Sequence, residues 1–196
     1  MCARRILNSN HRFNNQEFIV GAMYQFESHN HFWRLPFTVD WMTVEDLFEV
    51  VQIEDVSGLN RWGYDTYRRE LLTNPRALML AARTHQNPGR GVIGFFVGAT
   101  VEDEMHVNNV ATHPSFRRMG VGRALLQVAL EHGARRGITF AVLEVRASNE
   151  AAQTLYKNLG FRFVHRRRDY YSFPTEDAFI MRYDLYSSDA SNEFQV

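Results

Sequence analysis

Residues 117–126 read "RRMGVGRALL", and the meaning of this stretch decides the fold. Two glycines one residue apart, Gly120 and Gly122, run straight into an apolar helical pattern, with arginines at 117, 118 and 123. Glycines ahead of a helix let backbone N–H groups approach a ligand closely. The helix start adds a partial positive charge, and the guanidiniums add full ones. The combination suits a phosphate or a pyrophosphate.

Working outward from the loop, Val121, Ala124, Leu125 and Val128 form one helical stripe, and the helix is expected to stop at Gly137. Upstream, "MHVNNVAT" (105–112) alternates as a strand, with Met105, Val107, Asn109 and Ala111 on one side. Downstream, "ITFAVLEV" (138–145) reads as a strand, and Ser148 or Asn149 caps a helix running to Leu159, with Gly160 just past its end. "FRFVHR" (161–166) alternates, "RRDYYSFPTED" (167–177) reads as a turn-rich loop, and "AFIMRYDL" (178–185) closes the sheet.

The earlier part of the chain is also regular from Phe37. "FTVDW" (37–41) is a strand, and Thr43 caps a helix with Asp46 at the capping-box position. Val44, Leu47, Phe48 and Val51 are expected to be its buried face. "YDTYRRELLTN" (64–74) is a second helix, "ALMLAA" (77–82) a strand, "THQNPGRG" (84–91) a hairpin loop and "VIGFFVGAT" (92–100) a buried strand. The order β-α-α-β-β-β-α-β-α-β-β implies one α/β domain. Three successive strands without helices between them make its sheet of six to seven strands mixed and mostly antiparallel.

Composition sets the bounds. Of 196 residues, 45% are hydrophobic, and Lys+Arg equals Asp+Glu at 22 each. No global charge argues for nucleic acid or membrane, so any charge recognition is local. The single cysteine, Cys2, excludes disulfide frameworks and Cys-based zinc sites. His29 and His31 could ligate a metal, but nothing nearby completes a site, so no metal is expected. Residues 1–35 are Asn- and His-rich without a period and read as a poorly ordered extension. The domain is placed at 36–187, with a polar tail at 188–196. No apolar run reaches transmembrane or signal-peptide form, and the expectation is a cytoplasmic monomer or weak dimer.

Two kinds of site use such a glycine loop. A Rossmann dinucleotide turn has Glu144 in its favour, at a strand end where a ribose-binding acid would sit. Against it, Leu125 stands where the third glycine belongs, "SFRRM" is no apolar strand, and the loop follows four strands rather than one. The alternative accounts for more of the chain. Arg117-x-x-Gly120-x-Gly122 matches the Q/R-x-x-G-x-G/A loop of the GCN5-related N-acetyltransferases (GNAT). "LEVRASNEAAQTLYKNLGF" (143–161) and "RRRDYYSFPTEDAFIMRYDL" (166–185) resemble the RimI-type ribosomal-protein-alanine N-acetyltransferases of that superfamily. "DWMTVEDL" and "RWGYDTYRREL" resemble the family's opening elements more loosely, and "GLNRWGY" departs from its Phe-Pro-Trp turn.

The resemblance implies a GNAT fold and acetyl-CoA as cosubstrate, with direct transfer to a protein N-terminal α-amine. The implied partner is the N-terminal alanine of a small-subunit ribosomal protein. It implies that backbone amides of Arg118, Met119, Gly120, Val121, Gly122 and Arg123, with Arg117 before them, wrap the pyrophosphate. Val110, Ala111 and Thr112 would hold the pantetheine arm, and a bulge near Asn109 would turn an N–H towards the thioester carbonyl. Asn149 would contact acetyl-CoA as well as cap its helix. Glu144 would be the general base, helped by any burial that raises a carboxylate from its ordinary pKa near 4.3. Tyr156 would be the general acid that protonates the departing thiolate. Other amines (a different N-terminus, lysine, a polyamine or an antibiotic) and a non-enzymatic acyl-CoA-binding module are the rival readings.

Overall fold

The structure is a computed structural model that describes residues 37–59, 61–84 and 91–185. The expected extension at 1–35, the tail at 188–196, the His29/His31 pair and most of the 84–91 loop lie outside these residues. Seven strands form one sheet in the order β1-β2-β3-β4-β5-β7-β6. They are β1 Phe37–Trp41, β2 Ala77–Thr84, β3 Gly91–Val101, β4 Glu104–Thr112, β5 Phe140–Arg146, β6 Arg162–Ser172 and β7 Thr175–Asp184. Four helices flank it: α1 Leu47–Ser57, α2 Gly63–Thr73, α3 Val121–Arg135 and α4 Glu150–Leu159. All neighbouring strands are antiparallel except β4 and β5, which are parallel because α3 crosses over between them. The mixed, mostly antiparallel α/β sheet expected from the element order is the one observed.

Each face of the sheet carries its own core. Phe96, Met105, Val107 and Leu143 pack with Val121, Ala124, Leu125 and Val128 of α3 and with Tyr156 of α4. On the opposite face Phe95, Val97 and Ala111 pack with Leu47, Val50 and Ile53 of α1 and Tyr67 of α2. Strand β3, covered on both sides, is therefore apolar at consecutive rather than alternate positions. The helical stripe read for α3 is buried as expected.

Three expectations are corrected. Met105 and Val107 face the α3 core, but the irregularity of β4 after Val107 puts Ala111, and Asn109 with its bond to Tyr67, on the other face. The buried face of α1 is Leu47, Val50 and Ile53 with Glu54, whereas Phe48 is exposed. The cause is a 3-10 turn at Val44–Asp46, which advances three residues per turn and shifts the phase of the helix that follows. Residues 167–177 are not a loop. Strand β6 continues to Ser172 and a tight turn at Phe173-Pro174 leads into β7. The arginines and tyrosines of 167–172 concealed this second half of the strand, since it runs along an exposed edge and has no apolar alternation to reveal it.

The parallel pairing of β4 with β5 runs only from Glu104↔Phe140 to Val107↔Leu143. Beyond Val107 the two strands part. On its other side β4 carries a bulge: Asn109 pairs with Val97 and Val107 with Gly98, which leaves Asn108 as the extra residue. The candidate site sits in this opening.

Candidate active site

A cleft of about 270 Å³ opens where β4 and β5 diverge. One wall holds Val107, Asn108, Asn109 and Val110 of β4, and the other Leu143 to Arg146 of β5. Asn149, Ala152 and Tyr156 of α4 close one end, while Ser57, Gly58, Leu59 and Trp62 between α1 and α2, with Tyr170 and Tyr171 of β6, rim it. Of the residues singled out in the sequence, Glu144, Tyr156, Asn149 and Val110 share this cleft. Ala111 and Thr112 continue along β4 away from it, and the 117–123 loop follows beyond them.

Glu144 is the first residue of β5 past the last β4 pair, on the face opposite Leu143 and Val145. Its side chain is 35% exposed, and Oε1 accepts from the Arg167 guanidinium at 3.4 Å. Arg167 also lies over the Tyr170 ring, 4.7 Å from its centre. The carboxylate is therefore only partly buried. Tyr156 is buried, tilted against Phe161 at 5.7 Å, and its hydroxyl has no protein partner among the described residues. Burial, with the nearby Tyr171 phenol adding to it, pushes its pKa well above that of free tyrosine. Tyr171 is pushed up to about 12 by burial, against the pull of Arg146, which stacks 4.1 Å over its ring.

Asn149 caps α4, its side-chain oxygen accepting from the Ala152 N–H at 3.1 Å. At α3, the first helical bond runs from the Ala124 N–H to the Gly120 carbonyl at 2.9 Å. The N–H groups of Val121, Gly122 and Arg123 therefore remain unengaged by the helix. Gly120 lies at φ +84°, with open space where a side chain would begin, and Arg118 at φ +64°. The Arg123 Nε is buried without a partner. Free amides, a buried orphan donor and open space together suit a pyrophosphate. His113 caps the 3-10 turn Pro114–Phe116, its Nδ1 accepting from the Ser115 N–H at 3.3 Å.

Sequence reasoning passed over Glu54, Tyr67 and the Asn109 side chain, which are buried and joined by hydrogen bonds. The available signal was Glu54 sitting one residue after Ile53, inside what proves to be the buried stripe. Among the described residues no group of three or more His, Cys, Asp or Glu side chains could hold a metal ion. Nor is any helix there long and apolar enough to cross a membrane.

The same architecture recurs in known proteins. The model of the acetyltransferase (GNAT) family matches residues 41–161. The putative ribosomal protein bS18-alanine N-acetyltransferase of Bacillus subtilis is 34% identical over 140 residues, 71% of this chain and 90% of that protein. The ribosomal protein bS18-alanine N-acetyltransferase of Escherichia coli strain K12 is 36% identical over 148 residues, 74% of this chain and 95% of that protein. The crystal structure of the ribosomal-protein-S18-alanine N-acetyltransferase from Escherichia coli superposes with a TM-score of 0.68 at 31% identity, covering 82% of this chain and 99% of that one. With the glycine loop, the parted strands and the bulge all in place, this chain belongs to the GNAT family of acetyl-CoA-dependent acetyltransferases.

Proposed function

We propose that the chain acetylates the N-terminal alanine of a small-subunit ribosomal protein of the bS18 kind, in the cytoplasm and as a monomer or weak dimer. The observation that carries the reading is that Glu144, Tyr156 and the Asn108 bulge line one cleft. The curated relatives named for this acceptor span nearly the same length of chain.

Acetyl-CoA supplies an activated acetyl group as a thioester. The amides at the start of α3, with Arg117, Arg118 and Arg123, would hold its pyrophosphate. The backbone of Val110, Ala111 and Thr112 would hold the arm, and Asn149 would bind beside it. An N–H at the β4 bulge would stabilise charge developing on the carbonyl oxygen as the amine attacks the carbonyl carbon. Glu144 would accept the proton released by the ammonium, directly or through water. As the C–S bond breaks, the Tyr156 hydroxyl would donate its proton to the sulfur. Burial raises the phenol pKa, and a thiolate leaving into the same surroundings would be made more basic for the same reason. An α-amine, of pKa about 8, offers far more neutral nucleophile at pH 7 than lysine at about 10.4.

The test is a panel. The protein is incubated with acetyl-CoA and peptides differing in their N-terminal residue, with N-terminally blocked lysine peptides and polyamines as controls. Mass spectrometry of the products should find acetyl on the alanine-terminated peptide derived from the ribosomal protein. Preferential acetylation of lysine or polyamine would defeat the acceptor assignment.

A further inference from the structure

The Glu54 carboxylate has no part in the chemistry above, yet it is 1% exposed. No salt bridge reaches it among the described residues. A buried carboxylate without a cation persists only where donors replace its water. Glu54 has three. The Trp62 N–H reaches Oε1 at 2.8 Å, the Gly63 N–H reaches Oε2 at 3.0 Å, and the Tyr67 hydroxyl reaches Oε1 at 2.6 Å. The first two donors end the segment between α1 and α2, which rims the cleft through Leu59 and Trp62. Gly63, at φ +70°, lets the chain turn both N–H groups onto one carboxylate.

The third donor reaches further. Having given its only proton to Glu54, the Tyr67 oxygen acts as acceptor, and it takes the Asn109 Nδ2–H at 3.2 Å. Tyr67 is fully buried; burial first, and then Glu54, raise its pKa against a smaller opposing effect of Asn109, so its proton stays in place. Asn109 directly follows the bulged Asn108 on the β4 wall. One carboxylate thus touches both sides of the cleft, one through backbone amides and the other through a phenol.

We infer that Glu54 is a positioning residue for acetyl transfer, fixing the acceptor-side rim through Trp62 and Gly63 and the β4 bulge through Tyr67 and Asn109. The inference rests on the reading that the acceptor amine enters between these two walls. Glu54→Gln keeps the shape but turns an NH2 towards at least one donor, so it should disturb the rim. Tyr67→Phe keeps the ring and cuts the link to Asn109, while Glu54 retains its two amide donors.

The experiment compares steady-state kinetics of the full chain and the two variants, with calorimetric titration of acetyl-CoA giving the folded, binding-competent fraction of each. Per competent molecule, Glu54→Gln should raise the acceptor KM about tenfold or more with a smaller effect on kcat. Tyr67→Phe should lower kcat about tenfold while the acceptor KM stays within about twofold. A general loss of structure would not divide the two constants in this way. If Glu54→Gln fails to fold, Tyr67→Phe decides alone. Unchanged constants per competent molecule overturn the inference. So does loss of acetyl-CoA binding in both variants, since the network would then hold the domain rather than the cleft. The acceptor used is whichever panel amine the unaltered chain acetylates, so failure on alanine peptides alone counts only against the acceptor reading. A chain that acetylates no amine overturns both.

Discussion

Tyr156 is a buried ring that lines the cleft, and its hydroxyl makes no hydrogen bond to the described residues. Removing a hydroxyl without a protein partner costs a fold little, so Tyr156→Phe should nearly keep the melting temperature. If the hydroxyl is the proton donor, kcat should nevertheless fall by about 10²-fold. Stability and turnover moving apart is the signature to seek, by calorimetry alongside initial rates. A variant with near-normal kcat would make the ring a packing element only. Glu144→Gln should lower kcat by a similar factor, most severely at low pH where the amine is protonated. Raising the pH should partly restore it, because more of the amine is then neutral without a base. Glu144 was legible in the sequence as a lone acid in an apolar strand. Glu54 was not, because an acid beside another acid in "IEDV" looks solvated until the 3-10 turn sets the phase of α1.

At the level of elements, the start of α3 and the first turn after β1 make separate predictions. Gly120 takes φ +84° in open space, so Gly120→Ala meets backbone strain but no clash. It should reorient the first-turn amides of α3 and weaken acetyl-CoA binding, measured by calorimetry, and Gly120→Asp should weaken it further by adding a like charge. The turn after β1 depends on Asp46, which is buried, accepts from the Thr43 N–H at 2.7 Å and pairs with Arg83 of β2 at 2.5 Å. Burial pushes its pKa up, but the Arg83 and Thr43 hydrogen bonds outweigh burial and hold it below the ordinary 3.8. The pair's contribution is therefore complete above pH 3.8 and is lost as pH falls from there through the lower folded value. Asp46→Asn should cost about 3 kcal/mol near neutrality and flatten the acid limb of the stability curve, as read by urea titrations across pH. The capping box was visible in "TVED"; its tie to Arg83, 37 residues on, needed the sheet.

The whole molecule turns on one parallel pairing in an otherwise antiparallel sheet, and this pairing ends after four residue pairs. The sequence supplied the elements, because periodicity and caps are local. It could not supply the distance over which β4 and β5 stay together, which depends on α3 and on the Asn108 bulge. Residues 1–30 show no periodic apolar face that could dock on a core. Their deletion should accordingly leave acetyl-CoA affinity and melting temperature nearly unchanged. A fall of many degrees would show that the extension packs on the domain. The edge strand β6 has a different consequence. Eleven residues long and exposed along most of its length, it pairs on one side only among the described residues, which leaves its outer backbone groups open to another chain. Arg162, Arg166, Arg167 and Arg168 crowd that strand with charge, and its pairing with β7 is irregular between Arg167 and Tyr171, where Asp169 sits at φ +48°. These are features that keep a sheet margin from templating aggregates. Replacing the arginines by threonine should leave the fold intact while shortening the time the protein stays in solution at high concentration.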